Sequence, residues 1–340
     1  MHPYSALAIC RDPGLTTGAA IDVPEHFADR LLELIQARNA PACVGLDPIL
    51  EKLPAGLLSV YGLSEPSASG VPPCVESAAA AIEAFGRGVI DAVAAHVPAI
   101  KINIAFFEPY HDVGIAVYRR LIQTAHDAGL IVIGDIKRGD IGHSSSEYAR
   151  AHLGLPIQPV DATLPDAVTV NPYFGVEGVR PFIESAAATG RGLFVLVQTS
   201  NPSAVEVQGV MAADGRPIVE HVASLVQRWA VEPGLQGRSG YSCVGAVVSP
   251  RDLESTRRIR GLMPNCLFLV PGLGAQGRTA DEAATCFRTD GTGALVTASR
   301  SVIYAHAERG PAGTGGDWKA SIEQACGEFV AQIRRVLRRR

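Results

Sequence analysis

Long apolar runs are missing from this 340-residue sequence. None approaches the roughly 18 residues that a membrane-spanning helix needs, so no place in a bilayer is expected. The first residues, MHPYSALAICRDPG, lack the basic stretch and apolar core of a secretory signal. An excess of positive charge is missing too: the formal net charge is −4, which gives nothing in favour of nucleic acid as a partner. The one basic cluster, Arg334-Arg335 and Arg338-Arg339-Arg340, reads as a solvated helix end whose cations suit the dipole there. The seven cysteines are odd in number and scattered, with no C-x-x-C pair, so a reduced, cytoplasmic compartment is expected. Cys43, Cys243 and Cys266 fall in apolar runs, where a thiol is usually a small core residue. The nine histidines form neither H-x-H nor H-E-x-x-H, and no metal site is visible. His143 reads as a loop or helix-start residue.

What is present is the material of a large folded core: 47% apolar and 19% charged residues. Eight short apolar runs recur, around 42–47, 100–106, 130–137, 168–173, 193–199, 243–249, 267–272 and 294–299. Amphipathic stretches lie between them, at 77–95, 110–128, 176–188, 217–229 and 250–262. Strands alternating with helices imply right-handed crossovers and a parallel sheet. Eight such units point to a closed (β/α)8 barrel, the TIM barrel, with an open doubly wound sheet as the alternative. One domain is expected over 1–340, with its barrel core at about 41–304 and extra loops at about 54–73, 153–165 and 204–216. A C-terminal helix over about 317–337 places Trp318, Ile322, Phe329, Ile333 and Leu337 at helical spacing after an Asp317 cap.

Residues 133–142 read IGDIKRGDIG, and they set four charges, Asp135, Lys137, Arg138 and Asp140, at the end of a core strand. Solvated turns favour Gly, Asn, Ser and Pro instead. In such barrels the active site lies at the C-terminal strand ends, so the other ends matter as well. Strand 1 ends in Gly45-Leu46-Asp47-Pro48, strand 2 carries Lys101-Ile102-Asn103, and strand 5 ends in Gln198-Thr199-Ser200-Asn201. The strand period of two puts Asp135 with Lys137, and Lys101 with Asn103, on shared faces. Converging such charges at a low-dielectric mouth is costly unless they pair, so a purely structural ion-pair network is the competing reading. Pro271-Gly272-Leu273-Gly274-Ala275-Gln276-Gly277 follows strand 7, and Ser299-Arg300-Ser301 follows strand 8. Barrels often bind phosphate at these two loops, where glycines admit the anion and an arginine forks onto it.

These motifs resemble those of the orotidine 5′-phosphate decarboxylases. The D-x-K-x-x-D-I signature stands as Asp135-Ile136-Lys137-Arg138-Gly139-Asp140-Ile141. The forms GLDP, KINIAFFEPY and GDIKRGDIG are most similar to a longer bacterial branch, and the likeness covers about Pro41 to Tyr304. The resemblance implies that Asp47 and Lys101 contact the ribose, that Lys101 pairs with Asp135, and that Asp135 and Lys137 act at the reacting carbon. It implies that Asp140 and Ile141 enter the neighbouring subunit's site, making the enzyme a homodimer. It also places Ser144 near the ribose, Ser200 at the pyrimidine, and Pro271, Gln276, Gly277, Ser299 and Arg300 around the phosphate. Three positions depart from the family's common pattern: Gly142 stands for proline, Ser144 for threonine and Ser299 for glycine.

The family's reaction removes CO2 from C6 of orotidine 5′-phosphate and yields UMP, in pyrimidine biosynthesis, with no metal or organic cofactor. The C6 carbanion lies in the ring plane with no carbonyl suited to absorb it. Lys137 is expected to stabilise and then protonate it, kept charged by Asp135 and Asp140. Repulsion between Asp135 and the substrate carboxylate is too small to suffice. Two charges about 4 Å apart repel by roughly 4 kcal/mol at an effective dielectric near 20, whereas very slow reactions need on the order of 20 kcal/mol. Two rivals stay open: a Mg2+-dependent sugar-phosphate decarboxylase or aldolase of the same superfamily, and an inactive nucleotide-binding barrel. The sugar-phosphate enzymes carry an acid where this chain has Lys101.

Overall fold

The computed structural model describes residues 25–63, 74–154, 161–272, 279–308 and 317–339. Its strands are β1 (Ala42–Leu46), β2 (Ala99–Asn103), β3 (Ile131–Arg138), β4 (Ala167–Val170), β5 (Gly192–Gln198), β6 (Val244–Val248), β7 (Phe268–Val270) and β8 (Ala294–Ala298). Each pairs with the next, and β8 pairs in parallel with β1, so the sheet closes. That last pairing rules out the open sheet. β1, β6 and β8 are buried along their whole length, as strands covered on both faces must be. Helices Val75–Val93, His111–Asp127, Gly142–Leu153, Val176–Thr189, Ile218–Ala230 and Leu253–Leu262 fill the crossovers, followed by the short Ala280–Ala284 and Arg300–Ile303. The fold is a (β/α)8 TIM barrel.

Three strands stop two or three residues before their apolar runs end. β2 ends at Asn103, whose side chain accepts the Ala105 N–H at 3.2 Å and caps the 3-10 turn Ile104–Phe106. β7 halts before Pro271, which has no N–H to give a ladder. β4 halts before Asn171-Pro172, where the Asn171 side chain accepts the Tyr173 N–H at 3.0 Å and turns the chain.

The opposite end of the barrel is closed by a helix the sequence reading does not include, Phe27–Arg38. Phe27, Ala28 and Leu31 enter the barrel interior beside Cys43, Ile131, Phe194, Leu269 and Leu295. The Phe27 and Phe194 rings meet edge to face with centroids 5.8 Å apart. Gly192 makes the approach possible, because a Cβ there would lie 2.3 Å from the Phe27 ring. A larger apolar layer packs the strands against the outer helices.

The C-terminal helix Trp318–Leu337 is capped by Asp317, which accepts the Lys319 N–H at 2.9 Å. It buries Ile322, Phe329 and Ile333, while Trp318 and Leu337 are partly buried at the edge of the core. Of the extra stretches, 54–73 contains the helix Ala55–Val60, and 204–216 contains the helix Val205–Gln208 and Met211, which forms an antiparallel bridge to Pro217 just beyond it. Residues 64–73 and 155–160, parts of two of these stretches, lie outside the described residues. Cys43, Cys243 and Cys266 are buried free thiols. Among the described residues no helix is long and apolar enough to cross a membrane.

Candidate active site

A cavity of about 420 Å3 opens at the C-terminal ends of the strands. Four alternating charges cross its floor. Asp47 follows β1, Lys101 stands in β2, and Asp135 and Lys137 lie near the end of β3. Lys101 Nζ is 3.7 Å from Asp47 Oδ1 and 2.7 Å from Asp135 Oδ2. Lys137 Nζ is 2.6 Å from Asp135 Oδ1. Parallel pairing builds this row: Gly45 faces Lys101 across β1–β2, and Asn103 faces Asp135 across β2–β3.

Burial pushes the Asp135 carboxyl toward protonation, but the ammonium groups of Lys101 and Lys137 outweigh it and hold its pKa well below the carboxylate range. Burial likewise disfavours a charged Lys101, and Asp47 and Asp135 overcome that, raising its pKa above that of an ordinary lysine. Both groups are therefore ionised at neutral pH. The side chains of Lys101 and Asp135 are 10% and 8% exposed, whereas that of Lys137 is 50% exposed. Lys137 thus stands over the cavity, fixed at one side by Asp135 and free to approach a ligand.

Lys137 also leaves the regular strand. Its φ is +45°, in the left-handed region, and the β3–β4 register shifts between Gly134 and Arg138. For a residue with a Cβ that conformation costs roughly 1–2 kcal/mol. The strand period alone therefore does not account for Lys137 meeting Asp135; a bulge aims it. Thr169 of β4 sits in the bulge, accepting the Lys137 N–H at 3.0 Å and donating to Asp135 Oδ1 at 2.8 Å. The other two charges of the stretch go elsewhere. Arg138 pairs with Glu108 and lies over the Tyr148 ring. Asp140 accepts the Ile141 N–H at 2.7 Å and does not line the cavity of its own chain. Ile141 and Ser144 are exposed and do not line it either.

Ser200, Pro271, Ser299 and Arg300 do line the cavity. Ser299 stands directly before the short helix Arg300–Ile303 without a side-chain hydrogen bond to it, and its hydroxyl packs over Gly45, where a Cβ would come within 1.9 Å of it. Gln276 and Gly277 lie outside the described residues. Two supports were not legible in the sequence. The Tyr304 hydroxyl accepts the Ile49 N–H at 2.6 Å and donates to the Asp47 carbonyl at 2.8 Å, tying the β1 loop to the chain beyond Arg300. Gln208, from the stretch inserted after β5, accepts the Thr199 N–H at 3.1 Å and donates to its hydroxyl at 2.7 Å, next to Ser200.

Asp47 Oδ1 is buried with no hydrogen-bond donor. Asp47 itself lines the cavity, so its carboxylate stands where it can accept from a ligand hydroxyl. Among the described residues no group of three or more His, Cys, Asp and Glu side chains is gathered where a metal ion would be held. The space between Asp47 and Asp135 is taken by the ammonium of Lys101.

A family model described as orotidine 5′-phosphate decarboxylase / HUMPS matches residues 72–312. The chain belongs to this family. Orotidine 5′-phosphate decarboxylase of Rhodopirellula baltica is 37% identical over 310 residues, spanning 91% of this chain and 99% of the relative. The enzyme of that name from Caldicellulosiruptor bescii is 36% identical over 284 residues, 83% of this chain and 90% of the relative. Among solved structures, the OMP decarboxylase of Leishmania donovani superposes with a TM-score of 0.67 at 26% identity, covering 92% of this chain and 98% of that one. The strand-end charges thus lie in a barrel shared with decarboxylases.

Proposed function

We propose that this chain decarboxylates orotidine 5′-phosphate to UMP, without a metal ion, through a C6 carbanion that Lys137 stabilises and protonates. The observation that carries the reading is the alternating row Asp47–Lys101–Asp135–Lys137, which ends in a half-exposed lysine side chain. As CO2 leaves, negative charge collects at one ring carbon. An ammonium held in place before the reaction stabilises that charge with little reorganisation, and it carries the proton the carbon then needs. Asp135 keeps Lys137 aimed and stands near the departing carboxylate, adding a smaller repulsive contribution. Asp47 and Lys101 offer an acceptor and a donor to the ribose hydroxyls, Ser200 contacts the pyrimidine, and Arg300 with Pro271, Ser299, Gln276 and Gly277 holds the phosphate. Binding energy from that remote phosphate serves the transition state at the other end of the site.

The same reading makes the working unit a homodimer. Asp140 and Ile141 do not line their own cavity, and Ile141, Tyr173 and Phe174 are 51%, 81% and 48% exposed. An apolar strip of this kind beside the β3 loop suits contact with a second copy, which receives Asp140, Ile141 and Ser144 at its own site. Lys101 separates the reading from that of the Mg2+-dependent sugar-phosphate enzymes, because a buried ammonium between the two aspartates opposes a divalent cation. A UV assay of orotidine 5′-phosphate loss, with and without EDTA, tests it. Turnover unaffected by EDTA is expected; abolition by EDTA with rescue by Mg2+ contradicts it.

A further inference from the structure

We infer that Thr169 is a positioning residue for the reaction, holding both partners of the Lys137–Asp135 pair through one hydroxyl. This rests on the function proposed above and adds to it a residue that no strand-end motif contains. Thr169 lies in β4, is 1% exposed and lines the cavity. Its neighbours Val168 and Val170 face the outer apolar layer, while Thr169 turns inward.

The bulge is what gives the hydroxyl its task. Gly134 is in register with Val168 and Arg138 with Val170, so three residues of β3 span the place opposite Thr169 alone. The Lys137 N–H takes the Thr169 oxygen as its acceptor in that gap. The hydroxyl proton is left for Asp135 Oδ1, the same oxygen that receives Lys137 Nζ. A hydroxyl has one proton and two lone pairs, and here the direction of each bond is fixed: the N–H has only a donor to offer and the ionised carboxylate only acceptors. One side chain therefore secures the left-handed backbone of Lys137 and the rotation of the Asp135 carboxylate. Oδ1 is turned to Lys137 and Oδ2 to Lys101. Strained backbone persists where surrounding structure over-determines it, and Thr169 is that structure here.

Thr169→Val keeps the shape and strand preference of the side chain and removes only the hydroxyl. The variant should lose at least about tenfold in kcat, while KM and the Kd of UMP stay within about threefold, since phosphate and ribose contacts are untouched. Thr169→Ser, which restores the hydroxyl, should recover kcat to within about threefold of the native value. A crystal structure of Thr169→Val should show Lys137 out of the left-handed region or its Nζ parted from Asp135. A kcat within twofold of native, failure of the serine variant to recover it, or an unmoved Lys137–Asp135 pair would each overturn the inference. If the native protein proves inactive on orotidine 5′-phosphate, the functional reading fails, and the crystal structure still decides whether Thr169 holds the pair.

Discussion

The two ends of the barrel each gather charged side chains around a buried aspartate, and they use them differently. At the N-terminal end, Asp166 receives Arg30 at 2.7 Å on one oxygen, and His126 at 2.9 Å and the Val132 N–H at 2.8 Å on the other. At the C-terminal end, Asp135 is bound as fully, but its surroundings are left unfinished. Asp47 keeps a buried oxygen without a donor, Lys137 is half exposed, and the backbone beneath it is left-handed. A buried charge cluster by itself says little, because structural networks perturb pKa values too. A half-exposed charged side chain over a cavity, held by strained backbone, is what separates the site from the staple.

The largest effect is expected from the shared site of the proposed homodimer. Asp140→Ala and Lys137→Ala homodimers should each lose nearly all turnover. When the two variants are unfolded and refolded together, about half the dimers are mixed, and each mixed dimer has one native site. Roughly a quarter of all sites should therefore recover under two-fold symmetry. No recovery, with mixed dimers verified by native mass spectrometry, would show that Asp140 serves its own chain.

At the other end the effects should fall on stability alone. Burial raises the Asp166 carboxyl, yet His126 and Arg30 bring it down to about 2 from its ordinary 3.8. A lowered carboxylate pKa contributes stability that is fully present above 3.8 and is lost as pH falls toward 2, worth about 2 kcal/mol. Asp166→Asn should thus lower the urea midpoint at neutral pH and flatten its acid dependence, with kcat per folded site unchanged. A changed kcat would mean that the two ends are coupled.

The smallest effect belongs to His126. Burial opposes its charged form, but Asp166 prevails and raises its pKa above 6.5. Its contribution is fully present below 6.5 and is lost as pH rises through the raised value. His126→Gln should remove a modest decline in urea midpoint on the alkaline side of pH 6.5. An unaltered decline would assign it to another group.

The same contrast explains what the sequence made legible. Eight buried runs and their charged ends could be read because strand burial and helix spacing leave periodic marks, and Asp47, Lys101, Asp135 and Lys137 stand at those ends. Thr169 left no such mark. A threonine in a strand is an ordinary β-former, and its role arises only from a bulge. The bulge itself was hidden, since positive φ is foretold by glycine and here falls on lysine. The helix Phe27–Arg38 begins after His26, which accepts the Ala28 N–H in place of the usual Ser, Thr, Asp or Asn cap. The Asp166 staple joins residues from far-separated segments, a pairing that only the folded chain brings about.

In the function proposed above, the half-exposed Lys137 performs the chemistry, aimed by its aspartates, while the phosphate and ribose contacts bind the nucleotide. Lys137→Ala, assayed for orotidine 5′-phosphate loss and titrated with UMP by calorimetry, tests it directly. Turnover should fall by more than about a thousandfold while the Kd of UMP stays within about tenfold of native. Turnover within tenfold of native would contradict it.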